Sequence, residues 1–465
     1  PKKPSFVDAV RGDVYSPENM RPLSIVNTFN RIIANSYRAA LEPATRNFVG
    51  KIQRGFIKNR LITENIIDID LAALKVRARS SRGAIVLFDF KAAFPSISHE
   101  YMWAVLQRIG LPDNIIRAYQ RLYINNEHVI RVNGHEYASV VVHTGVRQGC
   151  PISPLLFVLC LEPLLRKLER LFPQATFRAF ADDIGGVFPD LEAVWPQLVN
   201  TFLEFGRVSN LVVHPTKTSI LPLWKVDFGV LRNAPWIRDS AWAAVTIEGS
   251  GKYLGVYLGL DATASSSFES CIKKLEKALG TWGPMTTSFF VKIKIWNTFM
   301  APLTSYVEQV YSTPAKSIAA IHLNLQKFMK GPHGWISAEG IGTLQNTFGF
   351  PMQARLPEIS NQAAMARTWL SLNSRATVIE QAINDLQRSH KNLHITFQDS
   401  PTIHLINNIN KCNDRGINAR KMLDNLQCDI KQQREKSNIK TTWTEARQFA
   451  MKKIQKALYL SLIHI

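Results

Sequence analysis

Two short acidic clusters constrain this chain more than anything else in it. Phe88-Asp89-Phe90-Lys91-Ala92-Ala93-Phe94 and Phe180-Ala181-Asp182-Asp183 each stand at the end of an apolar, strand-like run. Ala84–Phe90 is continuously apolar up to Asp89, the pattern of a strand buried on both faces. Thr176–Ala181 and Ile184–Phe188 read as short strands flanking the Asp182-Asp183 pair, and a hairpin turn there presents both carboxylates at one end of a sheet. Asp89, closing a separate strand, can lie beside them. Asp-Asp pairs are also common in surface turns, and three unrelated structural aspartates are the plain alternative. Three like charges held together repel unless cations bind among them. Two divalent cations in such a site activate an attacking hydroxyl and stabilise a leaving pyrophosphate.

The charge balance points the same way. The 465 residues carry 56 Lys+Arg against 36 Asp+Glu, a formal charge of +20, which favours a polyanionic partner through counterion release. Hydrophobic residues make up 46% and charged ones 20%, a globular composition sufficient for two to four structural units. Cys150, Cys160, Cys271, Cys412 and Cys428 are scattered, with no CxxC pair, so neither a zinc site nor a disulfide framework is expected and a reducing compartment is. The best apolar run, Leu155–Leu165, is short and interrupted by Glu162 and Pro163, so no membrane span and no membrane partner are expected. The chain opens at Pro1-Lys2-Lys3 without a signal peptide, and is expected to be a piece of a longer polyprotein.

Along the chain, apolar spacing predicts helices over 21–38, 64–79, 99–109, from 113 to about Tyr123, and over 190–208. A break falls at Gly110-Leu111-Pro112. Residues 127–142 read as a hairpin turned at Asn133-Gly134, the strongest short-range hairpin signal. Ser153-Pro154 opens a long helix, with Ser as the expected N-cap. Lys252–Leu258 reads as a strand and 266–310 as amphipathic helix. Residues 351–465 are helical in pattern, with 17 Lys+Arg against 9 Asp+Glu. Strands alternating with helices to about 260, then helical units, indicate a mixed α+β organisation.

A second signal is Gly145-Val146-Arg147-Gln148-Gly149-Cys150-Pro151-Ile152-Ser153-Pro154-Leu155-Leu156-Phe157. Gly145 and Gly149 allow close backbone approach to a ligand, and Arg147 and Gln148 supply donors for phosphate, sugar or base. Alone it would be an ordinary loop before a capped helix. Beside the carboxylates it is a nucleotide-site candidate.

With these segments in hand, the chain resembles a reverse transcriptase of the non-LTR (LINE-type) retrotransposon class over residues 1 to about 310. Arg21-Pro22-Leu23-Ser24-Ile25 and Gln53-Arg54-Gly55-Phe56-Ile57-Lys58-Asn59-Arg60 are similar to two fingers motifs. Asp89–Ile97, Arg147–Phe157 and Phe180–Asp183 resemble palm motifs A, B and C. Pro215-Thr216-Lys217-Thr218 resembles motif D, and Lys252-Tyr253-Leu254-Gly255 the primer grip. The resemblance implies an α+β right-hand polymerase: fingers over 1–83, palm over 84–261 with a fingers insertion at about 99–142, thumb over 262–311, and a helical basic C-terminal region over 312–465. It implies metal binding by Asp89, the Phe90 backbone carbonyl, Asp182 and Asp183, with two Mg²⁺ ions or Mn²⁺ in their place. Phe94 matches the aromatic that excludes a 2′-hydroxyl, and Phe90, Arg147, Gln148 and Gly149 line the nucleotide. Lys217 matches a general acid, Arg21 and Arg60 would clamp the triphosphate, and Tyr253, Leu254 and Gly255 would grip the primer.

RNA template, DNA primer or target and dNTPs are the implied partners, and an intracellular, nuclear location the implied setting. The reaction implied is target-primed reverse transcription. The sequence departs from the pattern at Pro95, where many relatives carry Asp, and in a less regular motif D. His404, Cys412 and Cys428 lack metal-ligand spacing, so a strand-nicking activity is expected outside this segment. Lys273, Lys274, Lys277, Trp282, Lys292, Lys294 and Trp296 are expected to track a template–primer duplex. The basic residues Lys431, Arg434, Lys436, Arg447, Lys452, Lys453 and Lys456 are expected either to hold nucleic acid or to form a solvated face. The rival readings are a group II intron-type or domesticated reverse transcriptase, and a decayed copy serving as an RNA-binding scaffold. An RNA-dependent RNA polymerase is disfavoured by Phe94.

Overall fold

The computed structural model describes residues 6–8, 12–14, 24–132, 135–330, 336–345, 349, 352–389 and 399–414. Arg21, the Asn133-Gly134 turn and the basic residues from Lys431 to Lys456 lie outside them. A small ribbon, β1 (Phe6–Asp8) and β2 (Gly12–Val14), precedes helix α1 (Thr28–Phe48). The helix starts where Asn27 caps it by accepting the Phe29 N–H at 2.9 Å, so it begins later and runs further than apolar spacing predicts. α2 (Ile62–Arg77) leads to β3 (Ala84–Phe88).

Next come α3 (Ala93–Ser96), α4 (His99–Arg108), α5 (Asp113–Arg121) and the ribbon β4 (Glu127–Val132) with β5 (His135–Val141). α6 (Ser153–Leu171), β6 (Thr176–Phe180), β7 (Asp183–Phe188), α7 (Leu191–Ser209) and β8 (Ser219–Pro222) follow. Short helices α8 (Phe228–Arg232) and α9 (Pro235–Arg238) precede β9 (Thr246–Ile247) and the hairpin β10 (Ser250–Tyr253) and β11 (Val256–Gly259). The expected single strand at 252–258 is thus two strands around a turn. Ser153 is the first helical residue and not the cap, while Pro154 occupies the first turn.

The core explains the sheet. Its order is β6-β7-β3-β8-β9, antiparallel except for the parallel β8–β9 edge. All five β3 residues are buried. Ala84, Val86 and Phe88 pack among residues of α6 and α7, with Phe88 stacked on Phe202 at 4.6 Å. Ile85 and Leu87 pack on the opposite face against Ile66 and Ile69 of α2, Tyr253 and Val256. Such two-sided burial, worth about 1.5–3 kcal/mol for each large apolar side chain, fixes the strand whose end carries Asp89.

Helices dominate from Ala264 on. α10 (Ala264–Trp282), α11 (Phe289–Ile295), α12 (Ala315–Met329) and α13 (Ala338–Gly342) share one core running from Leu275 to Leu356. Two residues expected on the duplex side face that core instead. Lys292 is buried and donates to the Met329 carbonyl at 3.0 Å, and Trp296 is buried with its indole N–H on the Arg355 carbonyl at 3.0 Å. α14 (Pro357–Ser371), α15 (Arg375–Ser389) and α16 (Pro401–Asp414) return to α2, where Met365, Ile379 and Leu405 meet Ile67 and Leu74. Among the described residues, no helix is long and apolar enough to cross a membrane.

Candidate active site

The sheet register sets the carboxylates. β3 and β7 pair as far as Phe88 opposite Ile184, so the next residues outward, Asp89 and Asp183, stand across from each other. They lie on the face that carries Leu87 and Tyr253, not the face of Phe88. β6 and β7 pair as far as Phe180 opposite Asp183, leaving Ala181-Asp182 as a two-residue turn. Asp89 and Asp182 are half-buried and Asp183 is exposed. Like charges directly opposite in a sheet destabilise it, and a hard divalent cation suits carboxylate and carbonyl oxygens. The donor set therefore fits such an ion, although among the described residues no three His, Cys, Asp or Glu side chains are gathered into a metal-binding group.

The strand beyond β3 is pinned to the segment before β8. Asp89 accepts the His214 N–H through its carbonyl at 2.7 Å, and the Lys91 N–H reaches the Val212 carbonyl at 2.8 Å. This brings the turn Pro215–Lys217 alongside, with Lys217 exposed. Desolvation lowers the His214 pKa, Lys217 and Lys91 add to that, and Asp89 opposes it, so these four groups share one electrostatic neighbourhood.

Phe94 stacks flat on Phe157 at 4.4 Å, and Phe56 meets its edge at 6.2 Å. The loop Gly145–Gly149 wraps this aromatic pair. The Val146 N–H donates to the Phe94 carbonyl at 2.8 Å, and Gly145 has φ +83°, with a Cβ there falling 2.3 Å from the Pro95 carbonyl oxygen. Pro95 thus packs against the loop and takes no part in the carboxylate set. Gly149 has φ +123°, a Cβ there would lie 2.5 Å from the Ser24 carbonyl oxygen, and the Ser24 N–H donates to the Gln148 carbonyl at 2.8 Å. Gln148 keeps a half-buried side chain beside this contact. The Arg147 guanidinium lies over the Tyr123 ring, 5.0 Å from the centroid, in a cation–π contact.

Arg60 meets backbone carbonyls. It donates to the carbonyls of Gly50, Gln53 (2.6 Å), Val49 (2.8 Å) and Arg46 (3.3 Å). Its donors tie the end of α1 to the following segment. Tyr253 is buried, and its hydroxyl donates to the Arg178 carbonyl at 3.1 Å. Leu254 (φ +46°) and Gly255 (φ +92°) form the β10–β11 turn.

Three groups around the site were not singled out from sequence. Gln53, inside a quoted motif but without an assigned role, hydrogen-bonds both sides of Ala181. Tyr306 donates to the Leu254 carbonyl at 2.5 Å, and no local signal marks it. Burial first, then the Asp183 charge, raise the pKa of the Tyr306 phenol, and the same charge acts on Tyr253. Asp68, read only as part of an amphipathic helix, collects Arg54 (2.7 Å), Arg178 (2.6 Å) and Arg375.

The family described as reverse transcriptase (RNA-dependent DNA polymerase) matches residues 1–258. The chain is 26% identical over 356 residues to the transposon TX1 uncharacterized 149 kDa protein of Xenopus laevis, covering 72% of this chain and 26% of that one. It is 26% identical over 267 residues to the Pol polyprotein from the type-1 retrotransposable element R2 of Popillia japonica, covering 54% of this chain. The chain spans only 37% of that relative's length. Among solved structures, telomerase from Candida tropicalis with a TWJ fragment of telomeric RNA aligns over 86% of this chain and 56% of its own, at 12% identity and a TM-score of 0.40. With more than half its length matched, and with non-LTR retrotransposon proteins among its relatives, the chain belongs to the reverse transcriptase (RNA-dependent DNA polymerase) family, in its non-LTR retrotransposon branch.

Proposed function

We propose that this chain is an RNA-directed DNA polymerase that extends a DNA 3′-hydroxyl on an RNA template with dNTPs and Mg²⁺, in target-primed reverse transcription by a non-LTR element. The observation that carries the reading is the opposition of Asp89 and Asp183 across adjacent strands, with Asp182 in the turn between β6 and β7. Asp89, Asp182, Asp183 and the Phe90 carbonyl would hold two divalent cations, with Mn²⁺ able to replace Mg²⁺. When bound, such ions supply an activated 3′-hydroxyl and charge neutralisation at the departing pyrophosphate.

The protein's own groups do the rest. Phe94, backed by Phe157, gives a flat wall against which a 2′-hydroxyl would collide, favouring dNTPs. Gln148 and the Gly149 backbone contact the nucleotide, and exposed Lys217 protonates the leaving pyrophosphate. The Tyr253–Gly255 turn supports the primer end. The +20 charge supports sequence-independent binding of template and primer.

Primer extension on a generic RNA template with a DNA primer tests the reading. Asp182→Ala is expected to cut synthesis by about three orders of magnitude or more, with nucleic-acid binding within about threefold of the unsubstituted protein. Synthesis retained by Asp182→Ala would refute the metal assignment.

A further inference from the structure

The turn that presents Asp182 has an unfavourable backbone. Ala181 adopts φ +57°, a left-handed conformation that costs an alanine roughly 1–2 kcal/mol. One side chain, distant in sequence, brackets it. Gln53 is fully buried; its Nε2 donates to the Ala181 carbonyl at 3.0 Å, and its Oε1 accepts from the Ala181 N–H at 2.9 Å and the Gly55 N–H at 2.7 Å. Only a group that donates and accepts side by side can make this set, which an amide does and a carboxylate or an amine does not.

The neighbouring backbone adds to the hold. Arg54 N–H donates to the Ala179 carbonyl at 2.9 Å, and Ala179 N–H to the Ile52 carbonyl at 3.0 Å. Gly55 approaches so closely that a Cβ there would lie 2.2 Å from the Ala181 nitrogen. The two Gln53 bonds to Ala181 fall on the peptide before residue 181 and on the peptide that joins it to Asp182. Together they fix the direction in which the chain enters Asp182.

On the reading of Asp182 as a metal ligand, we infer that Gln53 is a positioning residue: it aims the Asp182 carboxylate through the Ala181 backbone. The bland alternative is that Gln53 only stabilises a strained turn. Gln53→Met separates the two, since methionine has similar volume but makes none of these bonds. With the protein folded by circular dichroism, kcat for primer extension is expected to fall at least about 30-fold, while KM for primer–template changes by less than about threefold. Mn²⁺ affinity, read by electron paramagnetic resonance without turnover, is expected to fall at least about fivefold.

The double variant Gln53→Met/Ala181→Gly relieves the φ strain, because glycine adopts +57° freely. Its unfolding midpoint should rise toward the unsubstituted value while kcat and Mn²⁺ affinity stay low. Recovery of kcat in step with stability would overturn the inference, as would an unchanged kcat and Mn²⁺ affinity in the single variant. If the single variant does not fold, the double variant against Ala181→Gly makes the same decision. Asp182→Asn in the same Mn²⁺ titration separates the two layers of the argument. Unchanged Mn²⁺ binding there defeats the metal reading itself, whereas loss there with none in Gln53→Met defeats the clamp alone.

Discussion

Two hairpin turns are held in a conformation that their residues resist. The β6–β7 turn puts Ala181 at φ +57°, and the β10–β11 turn puts Leu254 at φ +46° beside Gly255 at +92°. Each is secured by a side chain remote in sequence, but not equally. Gln53 bonds both sides of Ala181, with Gly55 pressed against the same peptide. Tyr306 makes a single bond to the Leu254 carbonyl, with its ring where a Cβ on Gly255 would sit, 2.9 Å away. Remote side chains bond the backbone of the turn carrying a proposed metal ligand at two atoms, and the backbone of the turn proposed to support the primer at one. The difference teaches where rigidity is needed: a carboxylate must be aimed to a fraction of an ångström, whereas a surface that tracks a moving duplex need not be.

The comparison breaks most completely at a node beneath both turns. Asp68, 7% exposed, accepts from Arg54, next to Gln53, and from Arg178, whose carbonyl holds Tyr253. Arg375 reaches the same carboxylate and Glu64 at 2.9 Å, tying α15 to α2. Asp68→Ala strands buried arginine charge and is expected to cost about 3–5 kcal/mol, measured by chemical denaturation, with both turns loosened. Burial alone would push the Asp68 carboxyl up, but Arg178, Arg54 and Arg375 together hold it below the usual carboxylate range. A folded-state pKa below the unfolded one gives stability that is present above the unfolded value and lost as pH falls through the folded one. The unfolding midpoint should therefore drop below about pH 4, and Asp68→Asn should flatten that drop.

The unequal hold on the two turns also marks what a sequence can disclose. Asp89, Asp182 and Asp183 were legible because burying a strand on both faces leaves a continuous apolar run whose polar interruption is conspicuous. Phe94, Gly145 and Gly149 were legible through motif spacing. The carbonyl partners of Arg60 were not legible, because an arginine in a motif gives no sign of whether its donors meet a phosphate or the carbonyls at the end of α1. Lys292 and Trp296 were misread because an amphipathic stripe does not say which polar atoms find buried partners. Tyr306 left no trace, since its partner Leu254 lies 52 residues earlier and only tertiary packing joins them. The β10–β11 hairpin was taken for one strand because its turn residue Leu254 is an apolar residue forced to positive φ.

Gly55→Ala attacks the tighter turn alone. The added Cβ would meet backbone atoms, 2.2 Å from the Ala181 nitrogen and 2.9 Å from the Phe180 carbonyl carbon, and neither can rotate away as a side-chain tip would. The turn must shift, and displacement on the order of 1 Å at a reacting centre costs about 10²-fold in rate. Single-turnover primer extension should show that loss in the chemical step, with duplex affinity nearly unchanged. A rate within about threefold of the unsubstituted protein would mean the turn tolerates the shift, and that its double fixing serves stability only.

The smallest effect belongs to the looser turn, and it should fall on a different kinetic constant. Tyr306→Phe removes one neutral hydrogen bond, worth about 1 kcal/mol, and leaves the ring against Gly255. Burial and the Asp183 charge keep the phenol protonated through neutral and mildly alkaline pH, so the bond is present throughout the working range and its loss should not depend on pH there. Freed of its tether, the Leu254 carbonyl no longer fixes the angle of the turn toward the primer. KM for primer–template should then rise about three- to fivefold while kcat holds, the reverse of the pattern expected for Gln53→Met. If Tyr306→Phe lowered kcat instead, the two turns would be parts of one rigid unit around Asp183, and one clamp would serve for both.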